Sequence, residues 1–96
     1  MTKAEIVAAI AEKTGIERVT VLATVETFMD VVKESMTKGE NIYLRGFGSF
    51  IIKTRAQKAG RNISKNQSLV IPEHKIPAFK PAKPFKDEVK NNLKVK

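Results

Sequence analysis

The chain has no cysteine and a single histidine, His74. The first absence excludes disulfides and thiol chemistry and suits a reducing compartment. With one imidazole and scattered acids, no metal cluster is expected. No apolar run approaches the roughly 20 residues that a membrane-spanning helix needs, and the opening residues carry an amphipathic helix pattern rather than that of a signal peptide. Ser49 has no histidine or carboxylate partner that the sequence supports, so nucleophilic catalysis has little behind it. Acid is scarce as well, in one region: residues 41–86 hold a single carboxylate, Glu73, against ten lysines and arginines.

The charge is therefore segregated. Residues 1–40 hold five bases against seven acids, a net −2, whereas residues 41–86 carry +9 and residues 87–96 carry +1, giving the formal +8 of the chain. Solubility alone accounts for a high isoelectric point but not for cations gathered in one half. A field so placed points to a polyanion, and the nucleic-acid backbone is the usual one. The 96 residues make one domain whose core is marginal if the chain stands alone. The expectation is a soluble, cytoplasmic binding protein without catalytic residues, metal or cofactor, and without membrane contact.

Two helices come first. Thr2 followed by Glu5 is a capping-box pattern, Ile6, Val7 and Ile10 recur at helical spacing, and Gly15 ends the segment. Leu22, Val25, Phe28, Met29, Val32 and Met36 then fall at steps of three and four. Their Val and Thr neighbours lean towards strand, but the length and the 3.6 period favour helix, closed by Gly39. After Gly39 the period becomes two. Ile42 and Leu44 alternate with Tyr43 and Arg45, Gly46-Phe47-Gly48 turns the chain, and Phe50, Ile52 and Thr54 alternate with Ile51, Lys53 and Arg55. A polar stretch with Gly60, Asn62 and Asn66 as turn formers precedes the strand-like Leu69-Val70-Ile71. Pro72 and Pro77 confine that part to an edge or to bulges. Pro84 suits the first turn of a last helix, in which Phe85, Val89 and Leu93 form an apolar face. The fold class is α+β: two N-terminal helices, a three-stranded antiparallel sheet carrying a long β-hairpin, and a short C-terminal helix.

Lys53 and Arg55 share one strand face, opposite Phe50, Ile52 and Thr54. One face is basic; the other can be buried. Residues 58–65 cannot form a core of their own, yet Lys58, Arg61 and Lys65 continue the positive charge. Such an excursion is an unstructured loop or an arm awaiting a surface, and the extended apolar segments on either side favour the arm. At its tip Ile63 is either an ordinary exposed aliphatic or a wedge entering stacked base pairs from the minor groove, with Arg61 and Asn62 gripping the walls. Lys80, Lys83 and Lys86 are spaced by three and interleaved with Pro81 and Pro84. In an extended proline-rich segment with about three residues per turn they would line one side, as a phosphate-contacting strip or as a solvated linker. Phe28, Val32, Phe47, Phe50 and Phe79 need more cover than one chain provides, so folding and association are expected to be coupled.

Along almost its whole length the chain resembles the bacterial HU and integration host factor family of architectural DNA-binding proteins. The stretches that carry the likeness are Gly46-Phe47-Gly48-Ser49-Phe50, residues 55–62, Lys75-Ile76-Pro77-Ala78-Phe79-Lys80 and the helix start at Lys86-Asp87. The resemblance implies an intertwined homodimer or heterodimer with a helical body (1–40), a β-saddle and arm (41–83) and a C-terminal helix and tail (84–96). Two arms would embrace double-stranded DNA through its minor groove. The family's basic positions match Lys53, Arg55, Lys58, Arg61, Lys75, Lys80, Lys83 and Lys86, with Asn62 beside Arg61 at the groove-reading tip. The family's next tip residue is typically an intercalating proline; here it is Ile63, apolar and stiff but without the ring. Asn66 stands where a tip glycine is common, and it tolerates left-handed geometry better than most residues.

The function so implied is to bind, bend and compact duplex DNA, bent or nicked forms included, with low sequence specificity and in association with the nucleoid. A site-preferring cofactor of the integration host factor type is the alternative. An RNA-binding protein is less favoured, because no aromatic side chain for base stacking lies between Phe50 and Phe79.

Overall fold

The computed structural model describes residues 1–62 and 67–93, and at 59–62 and 67–70 it describes the backbone alone. Helix α1 spans Lys3–Thr14 and α2 spans Arg18–Thr37. The Thr2 hydroxyl accepts the Glu5 N–H at 3.3 Å, satisfying one of the free amides of the first turn. Gly15 follows α1 at φ 76°, its N–H donating to the Ala11 carbonyl. Glu17 precedes α2 without a side-chain cap. The other end of α2 is better closed: Gly39, at φ 88°, donates to the Met36 carbonyl, and Glu40 donates to that of Ser35, both at 3.0 Å. This pair of bonds is a Schellman closure, which a left-handed glycine allows. Inside α2 the Thr24 hydroxyl is satisfied within the helix, donating to the Thr20 carbonyl at 2.8 Å.

Strands β1 (Ile42–Leu44), β2 (Gly48–Arg55) and β5 (His74–Pro81) form an antiparallel sheet in the order β1-β2-β5. A bond from the Phe47 N–H to the Leu44 carbonyl, 3.0 Å, closes the first turn around Gly46 at φ 84°. Beyond the start of β1, the Asn41 Oδ1 accepts the Ile52 N–H at 3.0 Å, so a side chain adds a rung to the ladder. β3 (Lys58–Asn62) and β4 (Gln67–Ile71) pair only with each other and form the arm. Residues 56–57 and 72–73 interrupt the ladder between sheet and arm. Pro72 has no N–H to continue it, and Pro77 is accommodated because β5 is an edge strand. Ile63, Lys65 and Asn66, expected at the tip, lie outside the described residues.

Contrary to the expectation from their spacing, Lys80, Lys83 and Lys86 do not share an extended proline-rich segment. Lys80 lies on β5, and α3 (Lys83–Asn92) begins two residues after Pro81. Pro84 sits in the first turn of α3, where its fixed φ suits a helix and its missing N–H breaks no bond. Lys83 and Lys86 are therefore about one helical turn apart. α3 is attached through Phe85, which stacks on Phe47 with centroids 5.5 Å apart, and through the Ala82 N–H, which donates to the Phe47 carbonyl.

Little of this chain is enclosed. Val7 and Val21 are the buried apolar side chains among the described residues. The chain exposes 8469 Å², against about 5,500 Å² for a compact monomer of its mass. Its radius of gyration is 19.1 Å, against about 12.5 Å for a compact domain of this length. Both excesses fit a chain whose arm pairs only with itself and whose apolar residues are largely uncovered.

Candidate nucleic-acid interface

Residues directly opposite one another in an antiparallel pair project to the same side. The register of β2 against β5 therefore sorts the sheet into two faces. Phe50 opposes Phe79, Ile52 opposes Pro77 and Thr54 opposes Lys75 on one side. Ser49 opposes Lys80, Ile51 opposes Ala78, Lys53 opposes Ile76 and Arg55 opposes His74 on the other. Tyr43, paired with Ser49, joins this second face.

The first face is apolar and incomplete. The rings of Phe50 and Phe79 lie 5.1 Å apart, as do those of Phe79 and Phe47, making a continuous aromatic row towards Phe85. Phe47 is nevertheless 47% exposed and Phe79 38%. A groove of about 720 Å³ runs beside α2 and β1, lined by Thr27, Phe28, Val31, Ile42 and Leu44 among others, and Phe28 and Val31 are themselves exposed.

The second face is basic. Lys53, Arg55 and Lys80 are exposed along it, and a cleft of about 490 Å³ joins it to the start of α3. Tyr43, Arg45, Ser49, Lys80 and Lys83 line that cleft. Lys83 and Lys86 also line the adjoining hollow with Phe85 and Val89. The Lys3–Glu26 pair, 3.7 Å between α1 and α2, is the ion pair formed among the described residues, so the described cations of this face are not neutralised by neighbouring acids.

The fold thus sets Lys53, Arg55 and Lys80 along one face of the sheet, with Lys80 and Lys83 lining one cleft and Lys86 in the adjoining hollow. Lys58 is exposed at the root of the arm, opposite Ile71. Arg61 and Asn62 occupy the last described rungs of β3, opposite Ser68 and Gln67, with only their backbones described. Ile63 lies beyond them, outside the described residues. Lys75 does not join the group. It stands on the aromatic side of the sheet, and its Nζ donates to Thr54 Oγ1 at 2.9 Å. Sequence reasoning missed Tyr43 and His74, which share the basic face, and Arg45, which lines its cleft. Alternation from Ser49 and Arg55 was a usable signal for the first two, given the register.

Among the described residues no helix is long and apolar enough to cross a membrane. Residues 1–90 match the family of bacterial DNA-binding proteins. The prophage-derived DNA-binding protein HU 2 of Bacillus subtilis is 41% identical over 90 residues, covering 94% of this chain and 98% of that protein. The DNA-binding protein HU of Geobacillus stearothermophilus is 39% identical, covering 94% of this chain and all of its own length (100%). In structure the chain is similar to Anabaena HU in a cocrystal with DNA, with a TM-score of 0.88 and 33% identity over 94% of this chain and 98% of that one. HU from Thermotoga maritima gives a TM-score of 0.66 at 28% identity, over 94% of this chain and all of its own (100%).

Proposed function

This chain belongs to the HU family of bacterial DNA-binding proteins, and on that footing we propose that it is a non-enzymatic architectural protein that binds, bends and compacts duplex DNA as a dimer. The observation that carries this reading is the sorting of the sheet into an unneutralised basic face and an uncovered aromatic one. The basic face suits phosphates, and the aromatic face suits a second subunit, identical or paralogous. Lys53, Arg55, Lys80, Lys83 and Lys86 would hold the backbone along the saddle. Lys58, Arg61 and Asn62 would carry the contacts out along the arm into the minor groove, with Ile63 as the wedge.

The energetics favour such a role. Two chains bring a formal +16, twice the +8 of one, and each phosphate neutralised releases counterions. The minor groove distinguishes little beyond A·T from G·C, so sequence preference is low and deformable duplexes, bent or nicked, are favoured. Unstacking a base step costs a few kcal/mol, offset by the phosphate contacts that a bent duplex adds along the saddle. A protein of this kind works in the cytoplasm, on the nucleoid.

The test is a titration at several salt concentrations against intact duplex, nicked duplex and single strands. The expected result is a steep log–log salt dependence, about −0.9 per phosphate contacted, with nicked duplex bound best. Preference for single strands would reject the reading, and one strongly preferred site in a selection from random duplexes would replace it with a site-specific role.

A further inference from the structure

Lys75 differs from Lys53, Arg55 and Lys80, the other interface cations of this sheet, in the side it occupies. Lys75 lines a groove with Val32, Met36, Phe50, Ile52 and Pro77, and its ammonium donates to Thr54 Oγ1 at 2.9 Å. The Thr54–Lys75 rung is the last but one of the three-stranded sheet; only Arg55–His74 follows before the ladder breaks. Past that rung both strands lose their regular pairing at residues 56–57 and 72–73, and the arm resumes as a separate ladder at Lys58 and Ile71.

The arm leaves the saddle across this break. Backbone bonds fix the sheet up to it, and two side chains fix its border. Lys75 bridges to the opposite strand, and the His74 Nδ1–H donates to the Pro72 carbonyl at 3.0 Å along its own strand. Pro72 contributes no N–H of its own, so the His74 link stands at the gap in the ladder, while the Lys75 link reinforces the last rung but one before it. A lysine stem can cover apolar surface while its charged head stays at a polar edge.

We propose that Lys75 is a positioning residue: through Thr54 it holds the arm at its departure angle from the saddle, and it does not grip a phosphate. The inference rests on the DNA-binding reading above and reassigns one residue within it. The two roles separate experimentally, because a phosphate contact contributes to the salt slope whereas a brace does not. A brace also needs its partner.

The experiment compares wild type with Lys75→Met, Thr54→Val, Thr54→Ser and the Lys75→Met/Thr54→Val double variant on a duplex. It reads the salt slope of binding and the DNA bend at saturating protein by end-to-end energy transfer. Saturation removes the influence of a merely less stable fold. The expected result is a smaller bend and a several-fold weaker affinity for Lys75→Met and for Thr54→Val alike, with unchanged salt slopes. The double variant should be no worse than either single one, and Thr54→Ser should match wild type. A salt slope reduced by about one or more in Lys75→Met, a silent Thr54→Val, or an unchanged bend in both variants would overturn the brace. Arg55→Ala is the control. If wild type shows no salt-sensitive duplex binding for Arg55→Ala to weaken, the proposed function itself falls and this inference with it; if it does, failure of the brace leaves that function standing.

Discussion

Gly48 lies so close beneath the Phe79 ring that a Cβ built on it would stand 2.6 Å from Phe79 Cζ and 2.7 Å from both Phe79 Cε1 and the Lys80 carbonyl oxygen. The ring can swing aside; the backbone oxygen, held in the β2–β5 ladder, has less freedom. Phe79 in turn touches the rings of Phe47 and Phe50, so a displacement there spreads along the aromatic row. Gly48→Ala is therefore expected to destabilise the fold by about 1–3 kcal/mol, the usual cost of overpacking. A urea titration showing an unchanged midpoint would contradict this packing account.

Arg55→Ala and Lys80→Ala each remove an exposed cation from the basic face. Each should weaken duplex binding across unrelated sequences and lower the salt slope by about one for every phosphate no longer held. Lys13→Ala, in the last turn of α1, should alter neither quantity. Binding isotherms at four or five salt concentrations decide it.

The exposed Phe28, Phe47 and Phe79 lead to a different measurement. If a second subunit covers them, unfolding is coupled to dissociation and the melting temperature must fall on dilution. Calorimetry over a hundredfold concentration range is expected to show that fall, and Phe28→Ala to steepen the loss at the dilute end. A melting temperature independent of concentration would remove the dimer from the proposal.

Thr2→Ala deletes the hydroxyl that accepts the Glu5 N–H. The expected cost is about 1 kcal/mol, as for other N-cap replacements, whereas Thr2→Ser should cost little. Equilibrium denaturation of the three proteins checks both statements.

Much of this architecture was legible in the sequence because local chemistry and tertiary demand agree. Thr2, Gly15 and Gly39 mark helix ends that the fold uses, and the alternation around Phe50 and Lys53 gave two faces that the register preserves. The failures share a cause. Spacing alone does not say which secondary structure carries it: three lysines three apart suit an extended proline helix, yet Pro81 ends a strand and Pro84 lies in the first turn of a helix. Lys75 falls on the other side of the sheet from Lys53 and Arg55 for a related reason. Its side of the sheet depends on whether it opposes Thr54 or Arg55, and a shift of one residue in register reverses the answer. No residue in either strand announces that choice locally.

A subunit that encloses only two valines among its described side chains has no comfortable existence by itself. Under the dimer proposal, single copies left over from unequal synthesis or dilution would present their phenylalanines to proteases and to one another. The supply of competent clamps would then be governed by how fast newborn chains meet, and any surplus would be cleared rather than stored.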